Sequence, residues 1–232
     1  MSKGLFITLE GGEGSGKSTQ IKALAALLRD QGYDVVTTRE PGGTPEAEKI
    51  RDLLVKRDGG NWTPMAEILL LFAARQMHVE SLIKPALAVG KIVISDRFTD
   101  STRAYQCYGH GVPLDILEGL NKLSLRGFNP DLTFILDIPV EVGLARAGKR
   151  LKGDKSQEDR FENLDVSFHE RLRNGFLTIA KNEPARCVVV DATQSVEKIT
   201  DILLKKSSAN CQEIKNAPMT ACRLSRLAKS AV

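Results

Sequence analysis

A chain of 232 residues, 42% hydrophobic and 27% charged, is long enough for one substantial core and has the ordinary composition of a soluble globular protein. No apolar run approaches the ~20 residues of a membrane span, and residues 5–9 lead straight into Glu10 without a signal-peptide pattern, so a cytoplasmic protein is expected. Most of the net charge of +4 sits in residues 207–232, where Lys215, Arg223, Arg226 and Lys229 face Glu213 alone; the remaining +1 on residues 1–206 argues against nucleic acid as a partner.

Residues 5–9 (LFITL) read as a buried strand. They run into GGEGSGKST, residues 11–19, which fits G-x-x-x-x-G-K-[ST] with Gly11, Gly16, Lys17 and Ser18 on the fixed positions. Behind it Ile21, Leu24, Ala25 and Leu28 recur at helical spacing. Glycines let backbone N–H groups converge on phosphate oxygens, and a helix start adds orphan donors and about half a positive charge. The expectation is a nucleoside triphosphate site in which Lys17 bridges the outer phosphates and the Ser18 hydroxyl ligates Mg²⁺.

Gly32 ends the first helix, residues 34–38 form a second strand, and Arg39-Glu40-Pro41-Gly42-Gly43-Thr44 makes a stiff polar loop. A short helix over 47–55 carries Arg51. Residues 58–61 are a loop, and Thr63-Pro64 opens a helix to about residue 83 that carries Arg75. Gly90 ends the next helical segment, and strand three, 92–94, runs into Asp96-Arg97. Helical stretches follow around 102–107 and 114–125. Strand four is 132–137, then a helix over 140–149, a charged loop over 150–159 and a helix over 166–180. Strand five is 187–191, and the last helix covers about 196–205. Residues 207–232 read as a mobile basic tail or a late helix around 221–228. Cys107, Cys187, Cys211 and Cys222 show no C-x-x-C spacing, so neither zinc nor a disulfide framework is indicated.

Apolar strands alternating with helices predict an α/β fold of phosphate-loop NTPase type. It has a five-stranded parallel sheet with helices on both faces and a ligand crevice at the strand C-terminal ends. The phosphate loop, Arg39 and Asp96-Arg97 should share that crevice. A guanine motif N-K-x-D is missing, because Asn121-Lys122-Leu123-Ser124 lacks the Asp, and an ATP-driven machine would normally show Asp-Glu where Asp96-Arg97 stands. Arg97 with Arg39, Arg51 and Arg75 suits a phosphate monoester acceptor, although each arginine alone is more often a solvated surface residue. The residues point to a nucleotide or small-molecule kinase.

In order and spacing, GGEGSGKST, TREPGGT, DRF at 96–98, AYQ at 104–106 and DRFE at 159–162 resemble bacterial thymidylate kinases of the type with lid arginines, over roughly residues 4–205. The resemblance implies a nucleoside monophosphate kinase-like domain over 1–206, transfer of the γ-phosphate of ATP to dTMP with Mg²⁺, dTDP as product, and a homodimer. It implies that Gly11, Gly12, Glu13, Gly14, Ser15, Gly16, Lys17, Ser18 and Thr19 hold ATP, and that Ser18 and Asp96 organise the metal with Glu162 near it or the acceptor sugar. Glu13 lies by the acceptor phosphate, which Arg97, Arg51 and Arg39 hold, and Pro41 and Gln106 complete the dTMP site. The lid, 146–160, supplies positive charge from among Arg146, Lys149, Arg150 and Arg160, with Arg150 and Arg160 assigned to catalysis. Arg75 donates to the thymine carbonyl, Thr102 meets the base edge, and Tyr105 sits where a 2′-hydroxyl would be.

Two positions depart from the family pattern. The stacking Phe stands four residues before the Arg75 position, where this chain has Leu71; Phe72 lies three before, and both neighbour Arg75 on a helix, so Phe72 is the candidate. His110 stands where the family has an arginine. A methyl pocket separates thymine from uracil by only ~1–3 kcal/mol, so some dUMP activity is expected. The alternatives are a deoxynucleoside kinase acting on thymidine and a nucleotide-binding regulatory protein working through the basic tail.

Overall fold

The computed structural model describes residues 4–56, 59–151 and 164–216. Its centre is the strand β1 (Leu5–Glu10), in which every residue is buried. Burial on both faces is what an unbroken apolar run demands, and the sheet supplies it. Alternate residues serve opposite layers. Leu5, Ile7 and Leu9 pack with Leu24 and Leu28 of helix α1 (Lys17–Asp30), while Phe6 faces Ile68 and Phe72 of helix α3 (Pro64–His78).

The sheet has five parallel strands in the order β2-β3-β1-β4-β5, with β2 Val35–Arg39, β3 Ile92–Asp96, β4 Leu132–Asp137 and β5 Cys187–Asp191. Register aligns the strand ends: Leu9 and Arg39 both pair with Asp96, and Glu10 pairs with Ile135. One edge thus presents the end of β1, Arg39 and Asp96 side by side. The buried hydroxyls of Thr8 and Thr133 meet at 2.8 Å, so a polar pair between β1 and β4 is satisfied inside the sheet. Among the described residues no helix is long and apolar enough to cross a membrane.

Helix α2 (Pro45–Val55) begins two residues before the expected start, because Thr44 caps it by accepting from the Ala47 N–H. Thr63 caps α3 in the same way, with Pro64 at its first position. The helix expected to run to residue 83 ends at His78. It passes through a π-helical turn, Val79–Ile83, into α4 (Lys84–Ala88). The widened turn precedes Pro85, which has no N–H for an i−4 carbonyl. The stretch expected at 102–107 starts earlier, as α5 (Thr99–Thr102), and continues as a π-helical segment, Arg103–Gly109. Helix α6 spans Leu114–Leu125, α7 Val140–Leu151 and α8 Val166–Asn182.

The last helix, α9 (Val196–Asn216), does not stop near residue 205. Leu203, Ser207 and Cys211, spaced four apart, continue one buried face, and Cys211 joins the core cluster that holds α1. The boundary expected at residue 206 therefore falls inside a helix. The late helix expected around 221–228 lies outside the described residues.

Candidate active site

The phosphate loop takes its shape from glycines in left-handed backbone and from a close neighbour. Gly14 has φ +67, and a Cβ there would come within 2.0 Å of the Gly143 carbonyl; a Cβ on Gly143 would meet the Glu13 carbonyl at 2.5 Å. Helix α7 thus rests directly on the loop. Lys17 curls back, donating Nζ to the carbonyls of Gly11 and Gly12 at 3.0 Å each and to Ser15 Oγ at 3.2 Å. Burial, with Arg97 nearby, lowers its ammonium to about 8. At the first turn of α1, Ser18 Oγ donates to Asp96 Oδ2 at 3.0 Å.

A cavity of about 550 Å³ opens in front of this loop. Glu13 to Thr19 line it, with Arg39, Pro41, Arg51, Arg75, Asp96, Arg97, Thr102, Tyr105, Gln106 and Arg146. Gly11 and Gly12 instead border a smaller neighbouring cavity beside His169, whose buried Nε2 has no partner.

Arg97 occupies the left-handed region, φ +69, a costly conformation for an arginine. Its neighbours hold it there. The N–H of Arg97 donates to the Leu9 carbonyl, Ser95 Oγ to the Arg97 carbonyl, and the next N–H, of Phe98, to Glu10 Oε1 at 2.7 Å. The guanidinium then donates to Gly11 O, Ser101 Oγ, Glu13 Oε1 and Tyr105 OH, and lies 4.9 Å from the centre of the Tyr105 ring. Tyr105 OH in turn donates to Glu13 Oε1. Burial raises the Tyr105 phenol well above its ordinary range, so it stays protonated. Burial, with Asp100 adding, pushes Glu10 up to about 8.

At the far end Arg75 is only 2% exposed. Its Nε donates to Glu40 Oε2 at 2.6 Å, and Nη2 to Thr102 Oγ1 at 2.8 Å and the Phe98 carbonyl at 3.2 Å; Nη1 is buried without a partner. The expectation that Phe72 meets the ligand is corrected. Phe72 is 4% exposed, packs in the core and lies under Arg75, 5.1 Å from ring centre to guanidinium, while Leu71 borders the cavity. Three residues before Arg75, the helix face points inward.

Arg51 Nη1 donates to the Pro41 carbonyl at 2.9 Å, Pro41 follows a cis peptide, and Arg39 pairs with Glu48 at 3.0 Å in an exposed bridge. Gln106 Nε2 donates to Glu67 Oε2 at 3.1 Å. His110 packs its ring against Phe168 and is not among the residues lining the cavity. On α7, Arg146 borders the cavity and donates to the Ala192 carbonyl, whereas Lys149 is exposed. Arg150 lies near the end of α7, its side chain outside the description; Arg160 and Glu162 lie outside the described residues.

The donor set suits Mg²⁺. Ser18 and Asp96 offer hard oxygen ligands at the cavity edge, and no cluster of three or more His, Cys, Asp or Glu side chains that could hold a metal occurs among the described residues. A cation that keeps several waters and bridges to phosphates needs no more protein than that.

Sequence reasoning passed over Glu10, Glu40, His78 and Gly143. A carboxylate at a strand end reads as surface until the element that covers it is known. Only the place of Glu40 between Arg39 and Pro41 hinted at a role.

Comparison with known proteins agrees with this geometry. A family model described as Thymidylate kinase matches residues 9–202. The chain is 51% identical over 200 residues to the thymidylate kinase of Caulobacter vibrioides, covering 86% of this chain and 94% of that protein. It is 48% identical over 208 residues to that of Geobacter sulfurreducens, covering 88% and 98%. A crystal structure of thymidylate kinase from Ehrlichia chaffeensis matches with a TM-score of 0.71 at 37% identity, over 89% of this chain and 99% of that one. A match of this extent, on a chain whose phosphate loop and arginines border one cavity, means that it belongs to the thymidylate kinase family.

Proposed function

We propose that the 550 Å³ cavity holds ATP at the phosphate loop and dTMP between Arg97, Tyr105 and Arg75, end to end for direct transfer. As a thymidylate kinase the chain phosphorylates dTMP to dTDP with ATP as donor. The observation that carries the assignment of sites is that residues 13–19 of the loop, the Ser18–Asp96 pair and five arginines all border this cavity.

The loop amides and Lys17 hold the β- and γ-phosphates. Lys17 then exchanges its carbonyl contacts for phosphate oxygens. Arg97, Arg51 and Arg39 hold the dTMP phosphate, whose oxygen attacks the γ-phosphorus as the bond to ADP breaks. Glu13 anchors Arg97 and Tyr105 rather than taking a proton, since a phosphate monoester is already an anion near neutral pH. Mg²⁺ held by Ser18 and Asp96 would neutralise phosphate charge and align the donor. Arg146, Arg150 and Arg160 of the lid stabilise charge on the moving phosphoryl group, a contribution worth orders of magnitude in rate. Glu162 is assigned beside the metal or the acceptor sugar.

Arg75 has one free donor nitrogen in a buried setting, which suits a base carbonyl and leaves a 4-amino base facing donor to donor. Tyr105 closes the space a 2′-hydroxyl would need. A homodimer is part of the same reading. The test is a coupled assay across dTMP, dUMP, thymidine, dCMP and AMP with ATP and Mg²⁺. A strong response to dTMP, weak to dUMP and absent for the rest is expected. Turnover of thymidine would overturn the acceptor-site assignment. Sedimentation as a monomer at micromolar concentration would overturn the dimer.

A further inference from the structure

Arg75 is held by a chain of groups that starts at Glu40, on the cavity wall, and runs inward through His78 to Thr38. Its Nε donates to Glu40 Oε2 at 2.6 Å, while the other Glu40 oxygen accepts from His78 Nδ1 at 2.9 Å. His78 Nε2 meets Thr38 Oγ1 at 2.7 Å. With a carboxylate oxygen as its partner Nδ1 carries an imidazole proton, and in the neutral ring Nε2 accepts from the Thr38 hydroxyl. Apart from Arg75 Nη1, the donors of this chain have acceptors, and Glu40, Arg75 and His78 are all buried. The 39–44 loop closes over the chain: a Cβ on Gly43 would come within 2.5 Å of His78 Nε2 and 2.6 Å of Thr38 Oγ1. Glu40 also ties the loop to β3 by donating its N–H to the Asp96 carbonyl.

We propose that Glu40 and His78 are positioning residues for the acceptor nucleotide. They set the Arg75 guanidinium so that Nη1 is the nitrogen left for the base, and they make the base reader and the 39–44 loop one unit. The proposal rests on Arg75 reading the base, as set out above. His78 does not line the cavity, and Glu40, which does, has both carboxylate oxygens engaged by Arg75 and His78. Their effect reaches the substrate through one guanidinium and one loop backbone.

The experiment measures kcat and KM for dTMP and for ATP, with thermal unfolding, in Arg75→Ala, Glu40→Gln, His78→Asn and His78→Leu. In Glu40→Gln the amide oxygen accepts from Arg75, and the amide N–H faces a His78 that takes its other tautomer, so packing persists without the charge on the acceptor. A hydrogen bond to a charged group of this kind is worth about 10- to 100-fold in KM for dTMP, and KM for ATP should stay within about twofold. His78→Asn places an amide nitrogen where Nδ1 was and should keep KM for dTMP near that of the parent; His78→Leu removes the donor and should raise it.

If Arg75→Ala raises KM for dTMP but Glu40→Gln does not, the proposal falls and the role of Arg75 stands. If Arg75→Ala leaves KM for dTMP unchanged, both fall. Equal rises for dTMP and ATP, or equal behaviour of the two His78 variants, mark a purely structural role and also overturn it.

Discussion

Ser18 Oγ donates to Asp96 Oδ2 at 3.0 Å, joining the first turn of α1 to the end of β3 at the edge of the cavity. Two oxygen donors from different elements meet there because β1 and β3 are neighbours in register, Leu9 opposite Asp96. Asp96→Asn keeps the size of the side chain and its hydrogen bond while removing the charge. It should lower kcat by about 10²-fold or more and raise the Mg²⁺ concentration needed for half-maximal rate. Rate against Mg²⁺ concentration reads both; an unchanged Mg²⁺ dependence would sink the metal assignment.

Tyr105 is wedged between Arg97 and Glu13 on one side and Phe168 on the other, 6.2 Å between ring centres. With its hydroxyl doubly held, the ring has little freedom to yield to an extra hydroxyl on the sugar. Tyr105→Ala should reduce the preference for dTMP over its 2′-hydroxylated counterpart by about tenfold, a loss of ~1.4 kcal/mol in discrimination. The ratio of the two kcat/KM values is the quantity to measure, since it does not depend on the fraction folded. A preserved ratio would place discrimination elsewhere.

The sheet was legible because each strand is an apolar run between turn signals, and the phosphate loop because its spacing is tied to a mechanism. The arginines were legible as a set but not by partner. Phe72 and Leu71 are both helical neighbours of Arg75, and only packing against Phe6 and Phe98 decides which faces the core. Glu10 and Glu40 were hidden by their chemistry: a carboxylate reads as solvated until Phe98 or Arg75 is known to cover it. Residues 207–210, Ser-Ser-Ala-Asn, gave no helical signal because the buried face of α9 there consists of small side chains.

Lys17 sits near 8, and triphosphate oxygens in place of the carbonyls it now contacts would favour its charged form. Binding ATP at pH 8 should therefore take up about half a proton. Calorimetry in buffers of different ionisation enthalpy measures this, and Lys17→Met should abolish it. Above pH 8 the free enzyme increasingly carries neutral Lys17, so kcat/KM for ATP should fall while kcat at saturating ATP holds. Zero uptake, or proton release, would contradict this account.

Glu10 is fully buried, and burial raises its carboxyl to about 8. Between its unfolded value of 4.5 and that point, the folded protein keeps a proton that the unfolded chain has lost, so stability declines as pH rises through this window. Glu10→Gln resembles the protonated form, its amide oxygen accepting from Phe98 and its amide N–H donating to Ser101. Relative to the variant, the parent should lose about 2 kcal/mol between pH 6 and pH 8, at 1.36 kcal/mol per pKa unit. Urea titrations of both at several pH values give the difference; parallel curves would mean that Glu10 is ionised throughout.

Ending the chain after Lys206 would remove the last ten described residues of α9, among them Ser207 at 0% and Cys211 at 5% exposure. Cys211 belongs to the cluster that packs α1 behind the phosphate loop, and Ser208 Oγ donates to Gln31 Oε1 at 3.2 Å. The lost contacts are local and moderate in area, so the cost should be about 1–3 kcal/mol, several degrees in Tm for a domain of this size. Because none of these residues borders the cavity, kcat and both KM values of the folded enzyme should be unchanged at 20 °C. Thermal unfolding and steady-state kinetics on the same preparation separate the two effects. A truncated chain with full thermal stability would show that the end of α9 adds nothing to the core, and a folded but inactive one would revive a functional role for the basic C-terminal region.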